Sequence, residues 1–477
     1  MYGPHVRAAR SEATTLGNLS AGRLSPRRPV AIDLFSGAGG MSLGFEQAGF
    51  DVLAAVEYDP VHAATHCVNF PLTEMLCRDV RRIQADHVRV AAARGWRRHH
   101  PGGAGWNGEI DAIFGGPSCQ GFSIIGSRDQ EDERNLLLEV FVILVLDLRP
   151  RSFCIENVPG LLEPRFDALR EGVLGRLADA GYQLAPPKAF NAADFGVPQN
   201  RKRVLIMGAL DECPPPPAPW ADRISVAQAL DGLPSIEDYL ELLHDDAVSL
   251  WPEDISKREG TTALYARQVA GLESDPADLA RLRVWDPKIL TCSRRTVHRD
   301  DTITRFSVTS AGSEEKTSRA YRLHPDCPAH TLRAGTGSDR GSFSAPRPIH
   351  PTEPRVITVR EAARLHSFPD WFRFHTTNWH GHRQIGNAVP PRLARAAALS
   401  LRETLKVAPR TPRKVVGLGD LALLWMSARQ AMQVVTARAE ELPPTRWRKS
   451  RRQNAADLVP DVADSMVLTS ENEALSS

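Results

Sequence analysis

Residues 30–35, VAIDLF, form an apolar run with one embedded acid, and the run stops at Ser36-Gly-Ala-Gly-Gly. An amphipathic stretch, residues 41–48, follows at once. A short apolar run ended by a glycine cluster and followed by helical periodicity predicts a buried strand, a tight turn and a helix. Residues 51–56 read as the next strand, and the alternation continues with strands at 112–114, 152–155 and 204–207 and a helix at 136–148. Strands that alternate with helices predict an α/β fold, an open sheet with helices on both faces.

The texture changes after Gly208. The proline run at 214–217 reads as a linker, and residues 218–330 carry turns and scattered charge with little period-2 or period-3.6 regularity. Order returns with a helix at 357–368 before Pro369, and the block 381–391 leads into a helical stretch at 392–405. Beyond residue 406, Leu421, Leu424, Trp425, Ala428, Met432 and Val435 fall on one helical face, and Pro443-Pro444 ends it. The boundaries expected are a flexible lead (1–27), a catalytic and cofactor-binding domain (28–208), a second domain (209–355), a closing segment (356–405) whose last helix returns to the first domain, and a C-terminal helix and tail (406–477).

A chain of 477 residues has room for two domains and a tail. Its net charge of +2 gives no global nucleic-acid signature, so any basic surface is local. Seven scattered cysteines without a CxxC pair argue against a zinc site or a disulfide framework and predict no metal. No signal-peptide pattern and no apolar run of the roughly 18–20 residues needed to span a bilayer is found. A cytoplasmic location is expected by elimination.

Two places carry candidate chemistry. In Asp33-Leu-Phe-Ser-Gly-Ala-Gly-Gly, glycines let the backbone approach a ligand and the helix N-terminus offers free N–H groups. The spacing is not the dinucleotide GxGxxG. Glu57, ending the second strand, stands where a carboxylate binds ribose hydroxyls. Asp79 follows a third short segment and could accept from an adenine amino group, or be a solvated loop carboxylate. The second place is Gly115-Gly-Pro-Ser-Cys-Gln-Gly-Phe-Ser, after the strand 112–114. A lone cysteine is usually an inert small hydrophobe, but glycine, proline, serine and glutamine are not core neighbours.

The blocks DLFSGAGG, GGPSCQGFS, ENV (156–158), QNRKR (199–203), TVREAARLHSFPD (358–370) and GHRQIGNAVPP (381–391) together resemble, in order, the conserved blocks of the DNA cytosine-5 methyltransferase family. The resemblance covers residues 29–400. It implies a Rossmann-like S-adenosylmethionine-dependent methyltransferase domain with a smaller, irregular target-recognition domain. C5 of cytosine is a poor nucleophile, and a thiolate adding at C6 makes it electron-rich. By resemblance Cys119 is that thiolate. Glu156 contacts N3 and the exocyclic amine, and to donate at N3 it needs a raised pKa. Arg201 and Arg203 position the flipped base. The activated C5 takes the methyl group, then loses its proton and expels Cys119. Because the target atom lies inside the duplex stack, the resemblance implies that the base is flipped out, and the loop 120–132, with Gln120 and Ser123 against DNA, reads as a lid or as a plain solvated loop. Phe35, Ser36, Gly37, Gly39, Glu57, Asp79 and Asn387 match the family's S-adenosylmethionine contacts. Asn387 beside Gly386 also reads as an ordinary Gly-Asn turn. Arg383 and Gln384 read as structural.

The sequence departs from the family pattern in two ways. Ser118 stands where the family has proline, which relaxes a φ that proline would fix. Forty residues separate Asp79 from Cys119, longer than the family's usual spacing. The extra part, with Arg94, Arg97, Arg98, His99 and His100, reads as a phosphate-contacting arm or as a mobile solvated loop. Residues 209–350 occupy the place of the target-recognition domain. There Arg294, Arg295, His298, Arg299 and Arg305 form a basic cluster that could meet phosphate or guanine edges, and Thr336, Ser338, Arg340 and Ser342 have recognition-loop texture. The basic run 446–452 with Trp447 reads as a solvated tail or a non-specific DNA contact. The expected partner is double-stranded DNA, with a separate cognate restriction endonuclease, no membrane, and a monomer acting alone. A transfer-RNA cytosine methyltransferase shares the blocks, but its Cys-Phe-Thr signature is absent and the long 209–350 segment favours DNA. A catalytically inactive DNA-binding regulator is the other alternative.

Overall fold

The computed structural model describes residues 27–117, 135–220, 222–335, 347–412 and 414–437. One sheet dominates them: β1 (Val30–Leu34), β2 (Asp51–Glu57), β3 (Glu74–Cys77), β4 (Ala112–Gly115), β5 (Ser152–Asn157), β6 (Gln183–Leu184), β7 (Lys188–Asn191) and β8 (Lys202–Ala209). The order is β3-β2-β1-β4-β5-β8-β6, with β7 also on β8. β3, β2, β1, β4 and β5 run parallel, while β8 is antiparallel to β5, β6 and β7. This is the α/β class that the alternation predicts. The parallel strands are buried on both faces, which is why they read as near-continuous apolar runs.

Helices α1 (Gly40–Gln47), α2 (Pro60–Asn69), α3 (Ala85–His99), α4 (Asn135–Leu148) and α5 (Asp167–Asp179) connect the strands. From β1 to β3 the chain steps one way across the sheet, and from β3 to β5 it steps the other way. Right-handed crossovers then put α1 and α2 on one face and α3 and α4 on the other.

Residues 80–108, expected to be an arm or a loop, are mostly α3. Its Gly95 lies directly on β2, where an added Cβ would come within 1.9 Å of the Leu53 carbonyl oxygen. Arg94 and Arg98 pair with Glu74, while His99 and His100 flank the fully buried Asp51 at 3.4 and 3.3 Å. These side chains therefore tie α3 to the strands beneath it and do not form an extended arm. Basic residues crowd the last turn, and their number masked the helical period.

In the stretch expected to be irregular stand α6 (Val226–Leu230), α7 (Pro252–Glu259), α8 (Leu264–Val269) and α9 (Asp300–Val308). They are too short for periodicity to register. α10 (Val359–Leu365) is capped by a Thr358–Glu361 box, and it ends earlier than expected because the chain turns at Ser367, whose φ is 64°. α11 (Asn378–Asn387) and α12 (Pro391–Thr404) follow. Gly386-Asn387, read as a turn, is the last turn of a helix instead.

α12 lies on α1. Gly44 permits this, since a Cβ there would sit 2.5 Å from both the Ala394 Cβ and the Pro391 carbonyl. Phe45, Leu393, Ala397 and Leu401 then share one cluster with Phe114, Cys154 and Met207 of the sheet. The apolar face expected at 421–435 is not one helix. Residues Leu421–Trp425 form a 3-10 turn, Ser427 and Gln430 cap each other, and α13 (Ala428–Ala437) begins anew. Leu424 is buried, but Leu421, Trp425 and Met432 are exposed.

Candidate active site

The C-terminal ends of β1, β2, β4 and β5 lie side by side, and open α/β sheets bind ligands at this edge. After Leu34 the chain turns through Phe35, Gly37 and Gly39, whose φ angles are 67°, 55° and 107°. Glycine adopts such values freely, whereas Phe35 pays about 1 kcal/mol for its own. The turn is packed from behind: a Cβ on Gly39 would lie 2.3 Å from the Phe70 ring, and one on Gly40 2.3 Å from the Val389 carbonyl. At Gly37 nothing lies within 4 Å of the added Cβ, so this side is open. The Ser36 hydroxyl is buried and has no hydrogen-bond partner among the described residues.

Glu57 frames the opening. Its carboxylate accepts from the Gly37 N–H at 2.7 Å and the Asp59 N–H at 2.8 Å. Burial raises its pKa above the usual carboxylate value. Tyr58 projects beside it with 71% of its surface exposed, a ring face at the rim that sequence reasoning passed over. Its position directly after the strand-ending acid was the available signal. Asp79 sits after β3, and its carboxylate is engaged by Arg81 at 2.7 Å. Partial burial opposes its charge, but the Arg81 hydrogen bonds prevail and hold it below the usual range. The turn is tied to α2 through Ser42, whose hydroxyl donates to the buried Asp33 at 2.6 Å and lies 3.0 Å from His66. Burial keeps Asp33 well above its ordinary pKa and pushes His66 down to about 3, so at neutral pH that imidazole is uncharged.

Asn387, expected on the cofactor side, is exposed at the end of α11. The backbone on either side of it is held from below. Arg201 donates to the Gly386 carbonyl at 2.8 Å, to the Ala388 carbonyl at 3.1 Å and to the Leu332 carbonyl at 2.9 Å. His366 Nε2 lies 2.9 Å from the Ala388 carbonyl, and its Nδ1 lies 2.9 Å from Gln199 Nε2. Burial holds His366 far below its ordinary pKa, so it is neutral, and these neighbours select the Nε2–H tautomer. Arg201 was expected among the residues that position the base. Its guanidinium is instead 1% exposed and bonded to carbonyls, which makes it a positioning residue for the backbone.

The second half of the candidate site begins where β4 ends. A Cβ on Gly116, three residues before Cys119, would meet Glu156 Oε2 at 2.8 Å, so glycine lets the chain pass the carboxylate without displacing it. Glu156, on β5, pairs with Arg203, on β8, at 2.7 Å, with both side chains nearly buried. The antiparallel β5–β8 pairing brings these two together. Cys119, Ser118, Gln120, Ser123 and Arg340 lie outside the described residues, as do Thr336, Ser338, Ser342 and the 446–452 run.

The basic cluster expected at 294–305 is mostly neutralised within the chain. Arg295 pairs with Glu237, Arg305 with Asp301 at 2.7 Å, and His298 accepts from the Val356 N–H at 3.3 Å. Arg294 and Arg299 have no side-chain ion pair among the described residues. No described helix is long and apolar enough to cross a membrane, and the described residues contain no group of three or more metal-ligating side chains.

With this geometry in place, a model of the C-5 cytosine-specific DNA methylases matches residues 30–403. The chain belongs to the C-5 cytosine-specific DNA methylase family. It is a DNA cytosine-C5 methyltransferase. Over 407 residues the methylase is 44% identical to the type II methyltransferase M.XorII of Xanthomonas oryzae pv. oryzae, covering 85% of this chain and 92% of that one. It is 31% identical to the type II methyltransferase M.AgeI of Thalassovita gelatinovora, covering 79% and 99%. A solved structure described as a prophage-encoded DNA modification methyltransferase of E. coli superposes with a TM-score of 0.63 at 32% identity, covering 79% of the methylase and 99% of that chain.

Proposed function

We propose that this methylase transfers a methyl group from S-adenosylmethionine to C5 of a cytosine flipped out of a specific double-stranded DNA sequence, by way of a covalent bond from Cys119 to C6. The observation that carries the reading is the pairing of Glu156 with Arg203 against Gly116, on the same sheet edge as the Glu57 cradle. The open side of Gly37, the buried unpartnered hydroxyl of Ser36 and the oriented carboxylate of Glu57 fit an adenosine-bearing ligand. Phe35, Ser36, Gly37 and Gly39 would hold its methionine end, Glu57 the ribose, Asp79 the adenine amine, and Asn387 the far side. When bound, S-adenosylmethionine supplies the methyl group.

The remaining work falls to the chain. The Cys119 thiolate adds to C6 and pushes electrons toward C5. Glu156 meets N3 and the exocyclic amine and stabilises the electron-rich ring, with Arg203 fixing its carboxyl in place. After methylation the C5 proton leaves, the C6–S bond breaks and Cys119 is regenerated. Arg201 acts one layer away, by fixing the backbone around Asn387.

Residues 28–208 form the catalytic part on this reading, 209–355 the target-recognition part, 356–405 the closing segment and 406–477 the C-terminal extension, with 1–27 a lead. Gln120, Ser123, Arg294, Arg295 and Arg340 would face DNA, with Arg295 available only if Glu237 releases it. The names of M.XorII and M.AgeI support a place in a restriction–modification system. The chain would protect DNA as a cytoplasmic monomer while a separate endonuclease cleaves. The test is expression with unmethylated plasmid in a host free of cytosine methylation, followed by bisulfite sequencing. Methylation at one sequence context that disappears in Cys119→Ser supports the reading. A folded, cofactor-binding chain that leaves DNA unmethylated sinks it and turns attention to RNA.

A further inference from the structure

The family match ends at residue 403, yet the chain continues in described structure to residue 437 and lies against α2. Val416–Gly417 pairs with Arg283–Val284, and the Gly419 N–H then donates to the Val68 carbonyl at 2.7 Å. The approach is close: a Cβ on Gly419 would stand 2.6 Å from the Cys67 carbonyl oxygen. Leu423, Leu424, Ala431 and Val435 share one apolar cluster with Ala63, Ala64 and Val68 of α2 and with Met75 of β3. The Leu424 carbonyl accepts from the Thr376 N–H at 3.1 Å. Residues beside that contact grip α2 from another side. The His375 N–H donates to Gln384 Oε1 at 3.0 Å, and Gln384 Nε2 donates to Thr65 at 2.8 Å.

α2 is the element that sets the cradle. At its start Asp59 caps the helix through the Val61 N–H at 2.9 Å, and the Asp59 N–H holds Glu57. At its end His66 meets Ser42, and Phe70 fills the space behind Gly39. A displacement of α2 therefore moves both Glu57 and the glycine turn. We propose that residues 414–437 are a buttress of the cofactor cradle, and that Leu424 and Gly419 are positioning residues for S-adenosylmethionine binding although neither touches the ligand. The inference rests on the assignment of Glu57 and the turn to S-adenosylmethionine.

The test uses the full-length chain. Leu424→Ala and the milder Val435→Ala loosen the cluster, and Gly419→Ala pushes the segment off α2. Leu242→Ala is the control, because Leu242 is equally buried in a separate cluster with Tyr239 and Leu290. The readouts are the S-adenosylmethionine Kd by calorimetry, KM for each substrate, kcat and Tm. The buttress variants are expected to weaken S-adenosylmethionine binding by at least about fivefold, with kcat at saturation and KM for DNA unchanged. Leu242→Ala should lower Tm and leave the cofactor Kd alone. Val435→Ala removes only two methyl groups, so it keeps a folded member in the series. If the folded variants bind the cofactor as wild type does, or if Leu242→Ala weakens it equally, the inference is overturned. A wild-type chain that binds no S-adenosylmethionine overturns the cofactor assignment, and this inference with it.

Discussion

Glu57, Glu156 and Arg201 show three uses of a buried or half-buried charge. Glu57 is oriented by two backbone N–H groups, so its free lone pairs point in a fixed direction. Glu57→Gln retains the shape but loses a charge-assisted bond, and S-adenosylmethionine KM should rise roughly 10- to 100-fold, measured at saturating DNA. Glu156 is fixed by Arg203, and Glu156→Gln should lower kcat by about 10²- to 10⁴-fold with little change in cofactor Kd. A drop confined to cofactor binding would remove Glu156 from the chemistry. Arg201 differs from both, because its guanidinium donates to the carbonyls of Leu332, Gly386 and Ala388. Arg201→Ala leaves buried carbonyls without donors and should cost on the order of 3 kcal/mol of unfolding free energy by urea titration. Arg201→Lys cannot reproduce the forked contacts and should recover little of this.

The same close approaches that build the site also join the elements. α1 and α12 meet at Gly44, where any Cβ would collide with Ala394 and with the Pro391 carbonyl. Gly44→Ala should therefore cost about 1–3 kcal/mol, visible as a lowered Tm, although alanine is the better helix former. A neutral or stabilising result would mean that α12 can shift without strain. α1 and α2 are joined by the Asp33–Ser42–His66 chain, and its histidine carries a pH signature. His66 is depressed from 6.5 to about 3 in the folded state. A depressed folded pKa means that the unfolded chain binds the proton first. The contribution is fully present above pH 6.5 and is lost as pH falls toward 3. Stability should decline below pH 6.5 at up to about 1.4 kcal/mol per pH unit for this one group. His366, also fully buried and depressed, acts in the same direction. Asp33, with a raised folded pKa, opposes them, since its contribution is present at low pH and lost as pH rises. Urea titrations from pH 7.5 to 5 should show the decline, and His66→Gln should make it shallower, leaving the part that His366 contributes.

At the scale of the whole molecule, an antiparallel β8 closes a parallel sheet, and the long excursion from 209 to 355 returns through α10 and α11 to place Asn387 near the first turn. Arg201 and Gln199 of the β8 approach, Leu332 of the excursion, and His366 and Ala388 of the closing segment meet in one buried polar knot. Such a network couples the part assigned to DNA recognition with the backbone beside Asn387. Gln199→Leu, which strands the Leu332 N–H and breaks the bond to His366, should raise both DNA KM and cofactor KM. An effect on stability alone would confine the knot to a structural role.

The parallel strands, the glycine turn and the order of the chemical blocks were legible in the residues themselves. Their signals are local: a run of apolar side chains buried on both faces, a glycine cluster, and an acid at a strand end. α3 was not legible, because Arg97, Arg98 and His99 crowd its last turn and His100 follows, a run that resembles a solvated arm until Glu74 is seen beside Arg98 and Asp51 beside the two histidines. The partner of Arg295 was no more legible, since Glu237 is brought to it by folding from 58 residues away, whereas Asp301 stands one helical turn before Arg305. Arg201 and Arg203 stand two positions apart in one motif, and a β-strand points such residues to the same face. Yet Arg201 precedes β8, which begins at Lys202, so the pleat does not bind it to its neighbour's direction. It turns inward to carbonyls 131 and 185 residues away, while Arg203 meets Glu156. Sequence determined which chemistry the chain carries. Only the tertiary structure decided which charges remain available to use it, because the fate of a charge depends on what the fold brings within about 3 Å of it.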